Sequence, residues 1–431
     1  MQYIHVVTSF LQSDHRILIL RRSHKVGSYQ GKWAGVSGYL EGDEAPLERA
    51  KTEIREEVGL NSAQISYMRA GEVLRALDEE KDTVWIVHPF LFELHQPNLR
   101  LDWEHTESRW IEPDDLRSYE SVPKLKEAFE RVRWDLEGTV HILPSALRSI
   151  DELAKDRVQG ASALGRRSIE ILAEVARTSA VGSISELFRN LLAVMLELRK
   201  AQPSMATIRN LMGRFMSDVE AARQRATSVD EFQQMITSLS QKTQVNAEAA
   251  AEDAARNAVS TLPEEGYVLT HSYSSTVRRA LQLAVMSRPK LTVYVTESSP
   301  GKEGRQLAKD LIGLRVPVRL VADSAVDSVI PDVDLVAVGA DSVLADGSVV
   351  NKIGTSKISK LAHQSGIPLN VVCESAKFSS MDFLGEPVHI EETLFDRTPS
   401  ELVSNFVTET GLVEPRKVEA NIREMLRQLY P

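Results

Sequence analysis

Three shifts of residue pattern along a chain of 431 residues predict an α+β unit, then a helical region, then an α/β unit built on a parallel sheet. Alternating β-rich runs around one short amphipathic helix mark the first, over residues 1–140. Apolar residues at helical spacing, with few β signals, mark the second, over residues 144–262. Short apolar runs separated by helical segments mark the third, over residues 263–431, and imply βαβ units. The length suits two or three domains, and 42% hydrophobic residues supply ample core.

In the first unit, Gln2 to Leu11 and Arg16 to Arg22 are β-rich runs around the hairpin signal Gln12-Ser13-Asp14-His15. Gly27 to Gly42 reads as a glycine-rich loop that delivers a helix. Val84 to Leu94 reads as a long strand, Glu107 to Pro113 as a short one, and Pro123 to Trp134 as a closing amphipathic helix. The helix after the loop is the informative element. At about 100° per residue, Leu47, Ala50, Ile54 and Val58 share one stripe, while Glu53, Glu56 and Glu57 fill the adjoining arc. Like charges at this spacing repel, so the patch costs helix stability unless cations sit on it. Hard carboxylate oxygens suit Mg²⁺ or Mn²⁺, ions that neutralise a polyphosphate and activate a water. Gly38 lets the backbone approach such a centre. Pro46 is placed to open the helix, and Gly59 to end it in a left-handed conformation.

The spacing of Gly38, Glu44 and Thr52-Glu53-Ile54-Arg55-Glu56-Glu57-Val58-Gly59-Leu60 resembles the Nudix box of pyrophosphohydrolases. The resemblance implies metal binding by Glu53, Glu56 and Glu57, with the Gly38 carbonyl and Glu44 assisting, and a catalytic role for the same three glutamates. It also implies cleavage of a nucleoside diphosphate derivative such as ADP-ribose or another nucleotide sugar. Thr52 stands where the family carries an arginine that orients the glutamates, and loss of such a partner lowers metal affinity or activity. Arg49 and Arg55 are the candidates to replace it.

From Pro144 to about Leu262 the chain is rich in Ala, Glu, Leu, Arg and Gln. Ile150, Leu153, Ala154 and Val158 set one apolar phase; Leu187, Leu191, Val194, Met195 and Leu198 set another. Pro203 and Ser228-Val229-Asp230 supply breaks, and Asn246 to Ala258 reads as helix. Beyond Gly266, strands are expected at 267–270, 291–295, 316–321, 335–338 and 369–373. Ligands of open parallel sheets bind beyond the carboxyl ends of the strands. The polar segments there are Thr270 to Ser274, Thr296 to Ser298, Asp323-Ser324, Gly339 to Asp341 and Glu374 to Lys377. Gly347 to Thr355 reads as a further loop before a helix. Hydroxyls, helix-start N–H groups and lysines together suit a phosphorylated ligand.

Thr270-His271-Ser272, Val295-Thr296-Glu297-Ser298, Val338-Gly339-Ala340-Asp341 and Asn351-Lys352-Ile353-Gly354-Thr355 resemble a family that includes the regulatory subunits of translation initiation factor 2B. Ribose-1,5-bisphosphate isomerase and methylthioribose-1-phosphate isomerase are its metabolic members. Asp156-Arg157 with Gly160-Ala161, and Gln202-Pro203-Ser204, carry the resemblance into the helical region. It implies a homodimer or larger assembly, and ligand contacts from Gly160, Ala161, His271, Ser272, Thr296, Glu297, Asp341, Asn351, Lys352 and Lys377. Asp341 matches the aspartate of the isomerases' cysteine–aspartate pair and is the catalytic candidate here. Ser272 stands in place of the cysteine, and a hydroxyl needs a strong base to act as a thiol does. Gln202 replaces an arginine before the Pro-Ser pair.

The fold expected from both resemblances is an α+β Nudix domain followed by a helical domain and an α/β Rossmann-like parallel-sheet domain. The leading functional expectation is a metal-dependent pyrophosphohydrolase fused to a module that binds a sugar phosphate or a nucleoside monophosphate. The alternatives are a ligand-sensing protein without turnover, favoured by Thr52 and Ser272, and a sugar-phosphate isomerase acting through Asp341. A net charge of −10 disfavours nonspecific binding to nucleic acid. The single Cys373 excludes an intrachain disulfide. No apolar run reaches the roughly 20 residues of a bilayer span, and the N-terminus lacks a secretory pattern, so a soluble cytoplasmic protein is expected.

Overall fold

In the computed structural model of the chain, the described residues are 2–13, 16–40, 44–61, 64–71, 73–78, 82–94, 98–133, 142–156, 159–202, 204–288, 290–379 and 390–429. They form two compact units, residues 1–135 with 427–431 and residues 136–426. Of the segments singled out above, Asp14, His15, 41–43, Trp134, Arg157, Val158 and Pro203 lie outside the described residues.

The first unit is a mixed eight-stranded sheet. Its strands are β1 (Gln2–Ser13), β2 (Arg16–Arg22), β3 (Trp33–Ala34), β4 (Val36–Tyr39), β5 (Ile65–Ala70), β6 (Leu74–Asp78), β7 (Thr83–Leu94) and β8 (His105–Ile111). The longest pairing is parallel, with Gln2 to Gln12 of β1 alongside Thr83 to Glu93 of β7. Val7 to Leu11 are all buried, so both faces of this central strand are covered. On one face Phe10, Val87 and Leu91 pack against Leu125, Ala128, Phe129 and Val132 of α2 (Leu125–Val132). α1 (Pro46–Val58) opens on Pro46 and closes on Gly59 at φ 71°. Its stripe of Leu47, Ala50, Ile54 and Val58 is fully buried.

The stretch from Gly27 to Gly42 is not a continuous loop: it contains β3 and β4. β4 pairs antiparallel with β1, Gly38 opposite Val7, so tertiary pairing overrides the weak strand preference of its glycine. That pairing fixes Gly38 on a strand beside α1.

The second unit begins with α3 (Pro144–Lys155), α4 (Ala161–Thr178), α5 (Ile184–Ala201), α6 (Ala206–Arg223) and α7 (Val229–Val259). Ser183 and Ser228 cap α5 and α7 by accepting from the Glu186 and Glu231 N–H groups. α7 runs unbroken for 31 residues through the alanine-rich segment.

A seven-stranded sheet follows. It is built from β9 (Gly266–Thr270), β10 (Leu291–Thr296), β11 (Val318–Val321), β12 (Leu335–Val338), β15 (Leu369–Val372), β17 (Asn405–Thr408) and β18 (Gly411–Val413). The order across the sheet is β11-β10-β9-β12-β15-β17-β18, parallel except for β18. The order reverses between β9 and β12, so the chain leaves those neighbours in opposite directions and opens a crevice at their carboxyl ends.

The segment Gly347 to Thr355 departs from a simple loop. β14 (Val349–Lys352) is the middle strand of a small antiparallel sheet with β13 (Ser342–Val343) and β16 (Phe395–Thr398). Val349 and Val350 are buried there, a strand signal that the flanking glycines obscured. α11 (Thr355–Gln364) then starts after Gly354, which sits at φ 105°.

Gln202 has a structural office. Its amide donates to the carbonyls of Leu153, Ala154 and Asp156 at 3.1–3.2 Å and so ties down the end of α3, where Leu153 also accepts from the Asp156 N–H. Q202A is expected to lower the unfolding free energy by about 1–3 kcal/mol, measured by urea denaturation of the whole chain.

Candidate active site and ligand site

In the first unit, β4 and α1 meet at one end of a cleft of about 230 Å³. Glu53, Glu56 and Glu104 face it, as do Arg22, Arg49 and Lys124, while Tyr29, Tyr39 and Trp85 form an aromatic wall. Glu53 and Glu57 are buried and Glu56 is exposed. A Cβ at Gly38 would collide with the Glu53 carboxylate, so only glycine leaves room for it. The oxygen nearest Gly38, Glu53 Oε1, also pairs with the Arg49 guanidinium. Glu57 Oε1 accepts from the Ser37 N–H at 3.3 Å, whereas its Oε2 is buried without a hydrogen-bond partner. His105 Nε2 stands 3.7 Å from that oxygen, and His105 Nδ1 lies 3.2 Å from Asp102 Oδ1.

The electrostatics follow from burial and crowding. Desolvation, then the charges of Glu53, Glu104 and Asp102, push Glu57 well above the ordinary carboxylate range, against the Ser37 N–H. Burial raises Glu53 as well, although Arg49 opposes it. Burial and Asp102 raise Glu104. Burial lowers His105, which favours its neutral form. Burial raises the Tyr29 phenol to about 12, helped by its 2.5 Å hydrogen bond to Asp78.

Among the described residues no three His, Cys, Asp or Glu side chains already stand at ligand spacing; Glu53 is turned instead to Arg49. The chemistry of the donors nevertheless fits a hard divalent cation. They are carboxylate oxygens, and one of them, Glu57 Oε2, is buried with no proton donor. Glu44 lies close enough to Arg49 to stabilise its charge. Glu104, Asp102 and His105 were not foreseen. Their signal was a short run of acids and a histidine entering β8, with no motif to weight it.

In the second unit the residues after β9, β10, β12 and β15 converge on the crevice side. His271 Nδ1 lies 2.6 Å from Thr296 Oγ1, and His271 Nε2 lies 2.9 Å from the Ile353 carbonyl. Both side chains are almost wholly buried, so they tie β9, β10 and the Asn-Lys-Ile-Gly turn together. Burial lowers the His271 pKa. Ser272 adopts φ 65° and its N–H donates to Ser298 Oγ at 2.7 Å. Glu297 is held by Arg305 at 2.5 Å, which takes it away from the group.

Lys352 Nζ pairs with Glu303 at 2.6 Å, and Lys377 Nζ lies 3.6 Å from Glu374. Ser162 at the start of α4 and Thr276 at the start of α8 (Ser275–Ser287) donate to the two Glu374 oxygens at 3.1 and 2.7 Å. Burial would raise Glu374, but Lys377 and these hydroxyls hold it below the usual range. Burial raises Asp341, against Lys377 and Lys352 and with Glu303. Asn351 donates to Thr355 Oγ1 at 3.2 Å. Gly160 caps α4 beside the Tyr273 backbone, and Ala161 is buried next to it. Asn210 of α6 braces the Lys377 turn by donating to the Ala376 and Phe378 carbonyls at 2.8 and 2.7 Å. Glu303 was not foreseen: it opens a helix just past the 295–298 segment, and no motif extends to it.

Two sites thus stand on two folds: a carboxylate-lined cleft on a mixed sheet, and a crevice of paired charges at a parallel sheet's reversal point. The chain belongs to the initiation factor 2 subunit family, whose model matches residues 157–394. A NUDIX domain matches residues 3–132 and points to a hydrolase. The chain is 28% identical over 312 residues to the ribose 1,5-bisphosphate isomerase of Haloferax volcanii, a match covering 67% of this chain and 94% of that protein. The isomerase of the same name from Archaeoglobus fulgidus is also 28% identical, over 66% of this chain and 94% of its own length. A crystal structure of Pyrococcus horikoshii OT3 translation initiation factor eIF-2B superposes with TM-score 0.54 at 26% identity, covering 64% of this chain and 99% of that one.

A raised Glu57 pKa means that the native state retains a proton the unfolded chain has released. Stability of the metal-free protein should therefore fall as pH rises from the ordinary glutamate range into the raised one. Thermal unfolding followed upward from the ordinary glutamate range should show this fall, and E57Q should blunt it.

Proposed function

We propose that the first unit hydrolyses a diphosphate bond in a nucleoside diphosphate derivative, with Mg²⁺ or Mn²⁺ held by Glu53, Glu56 and Glu57 beside the Gly38 carbonyl. The observation that carries this reading is one cleft combining three carboxylates, one of them buried, with cations and an aromatic wall. A divalent cation bound there supplies charge neutralisation and an activated water. Arg22 and Lys124 draw the phosphates in. The faces of Tyr29, Tyr39 and Trp85 suit a flat base. Glu104, raised by burial and Asp102, lines the same cleft and is available for proton transfer. ADP-ribose and related nucleotide sugars fit this shape.

The second unit, on this reading, binds a sugar phosphate or nucleoside monophosphate at its Rossmann-like sheet. The helical stretch 144–262 serves as the wall, and residues 263–431 carry Asp341, Asn351, Lys352 and Lys377. Cleavage of an ADP-ribose-like compound yields both kinds of product, which gives the fusion a rationale. Similarity to the isomerases supports a second reading for this unit alone, sugar-phosphate isomerisation through Asp341. Ser272 favours binding without that turnover. Homodimerisation through the sheet unit and a cytoplasmic setting complete the proposal. No described helix is long and apolar enough to cross a membrane.

Nucleoside monophosphate release from a panel of nucleoside diphosphate derivatives tests the hydrolase. Turnover should require Mg²⁺ or Mn²⁺ and fall at least about 100-fold in E53Q and E57Q. Activity that survives both substitutions contradicts the assignment. Calorimetry of the whole chain with pentose phosphates and nucleoside monophosphates, and a product assay with ribose 1,5-bisphosphate, decide between sensing and isomerisation.

A further inference from the structure

Thr52 leaves α1 without an arginine immediately before Glu53, yet Glu53 still receives a guanidinium. It comes from Arg49, one turn nearer the helix start. Two observations set this pair apart from an ordinary surface pair at i,i+4. Helices favour the acid before the base, and a base near the amino end opposes the helix dipole. Arg49 is the fourth residue of α1 and precedes its acid, so local helix energetics do not account for it.

The second observation is the wedge. Glu53 is 6% exposed, and its carboxylate occupies the space left by the missing Cβ of Gly38. The same oxygen, Oε1, lies in the space beside Gly38 of β4 and pairs with Arg49. The Arg49 Nε is buried with no hydrogen-bond partner among the described residues, so Glu53 is the group that anchors the guanidinium. Arg55, the other arginine close in sequence, is exposed.

We propose that Arg49 is the positioning residue that replaces the arginine missing at position 52. Its guanidinium holds the Glu53 carboxylate beside Gly38, at the edge of the cleft where a cation would bind, and balances the crowded carboxylates before a cation arrives. This rests on the reading of α1 as a cation site.

Mn²⁺ binding to the full chain, followed through the electron paramagnetic resonance of the free ion, tests it alongside thermal unfolding. R49Q should weaken Mn²⁺ binding 10–100-fold, the usual cost of losing a partner that orients ligands. T52R in the R49Q background should recover at least tenfold, and R49K, which keeps charge but not the fork, should fall between wild type and R49Q. Unfolding midpoints should stay within a few degrees. Unchanged or tighter binding in R49Q overturns the proposal, since an arginine acting only as a competing charge would give tighter binding. Failure of T52R to rescue does the same. Should R49Q not fold, R49K and T52R/R49K carry the same comparison, with wild-type affinity in R49K as the contrary result. If wild type binds no Mn²⁺, the cation-site reading falls and takes the proposal with it; binding by wild type that R49Q leaves intact removes the proposal alone.

Discussion

Two glutamates buried one turn apart on a short helix dominate the physics of the first unit. Desolvation penalises each carboxylate; the Glu53 charge adds to the penalty on Glu57, and the charges of Glu56 and Glu104 add to that on Glu53. Everything around them answers that penalty. Gly38 yields the space of a side chain to one of them, Arg49 lends it a counter-charge, and the Ser37 N–H reaches the other. What stays unanswered is Glu57 Oε2, buried without a hydrogen-bond partner among the described residues, with His105 Nε2 standing off at 3.7 Å. A fold optimised for stability alone would not keep such an atom, because an unsatisfied buried acceptor costs about 1–3 kcal/mol. Retained strain of this kind belongs to sites that do chemistry.

The second unit solves a similar problem differently. Its buried lysines are already paired, Lys352 with Glu303 and Lys377 with Glu374, although Glu303 Oε2 is also buried without a hydrogen-bond partner among the described residues. Hydroxyls from the starts of α4 and α8 complete Glu374. A ligand must therefore exchange partners with these groups rather than simply neutralise them. Binding at such a place favours ligands that carry both anionic and hydroxyl oxygens, since both lysines and carboxylates then keep a partner. Burial keeps Asp341 from ionising easily, against the pull of Lys377 and Lys352.

Much of this was legible in the residues. The apolar stripe of α1, its opening proline and its closing glycine all have one local physical meaning, and the structure realises each. The alternation of short β-rich runs with helices likewise announced a parallel sheet. What escaped was decided by partners distant in sequence. β4 exists because β1 offers it hydrogen bonds, not because a strand with Gly38 in it is favourable by itself. β14 was hidden between two glycines that read as loop. Glu104 and Glu303 join their sites only through packing. Arg49 was visible as one of two candidates, and only its pairing with Glu53 distinguishes it from Arg55.

The account turns on a single statement, that the carboxylates of α1 are arranged to share a divalent cation beside Gly38. Anomalous diffraction from crystals soaked with manganese addresses it without any assumption about substrate. A peak within coordination distance of Glu53, Glu56 and Glu57 is the predicted result. A map in which that place is featureless at manganese concentrations that saturate binding in solution contradicts it.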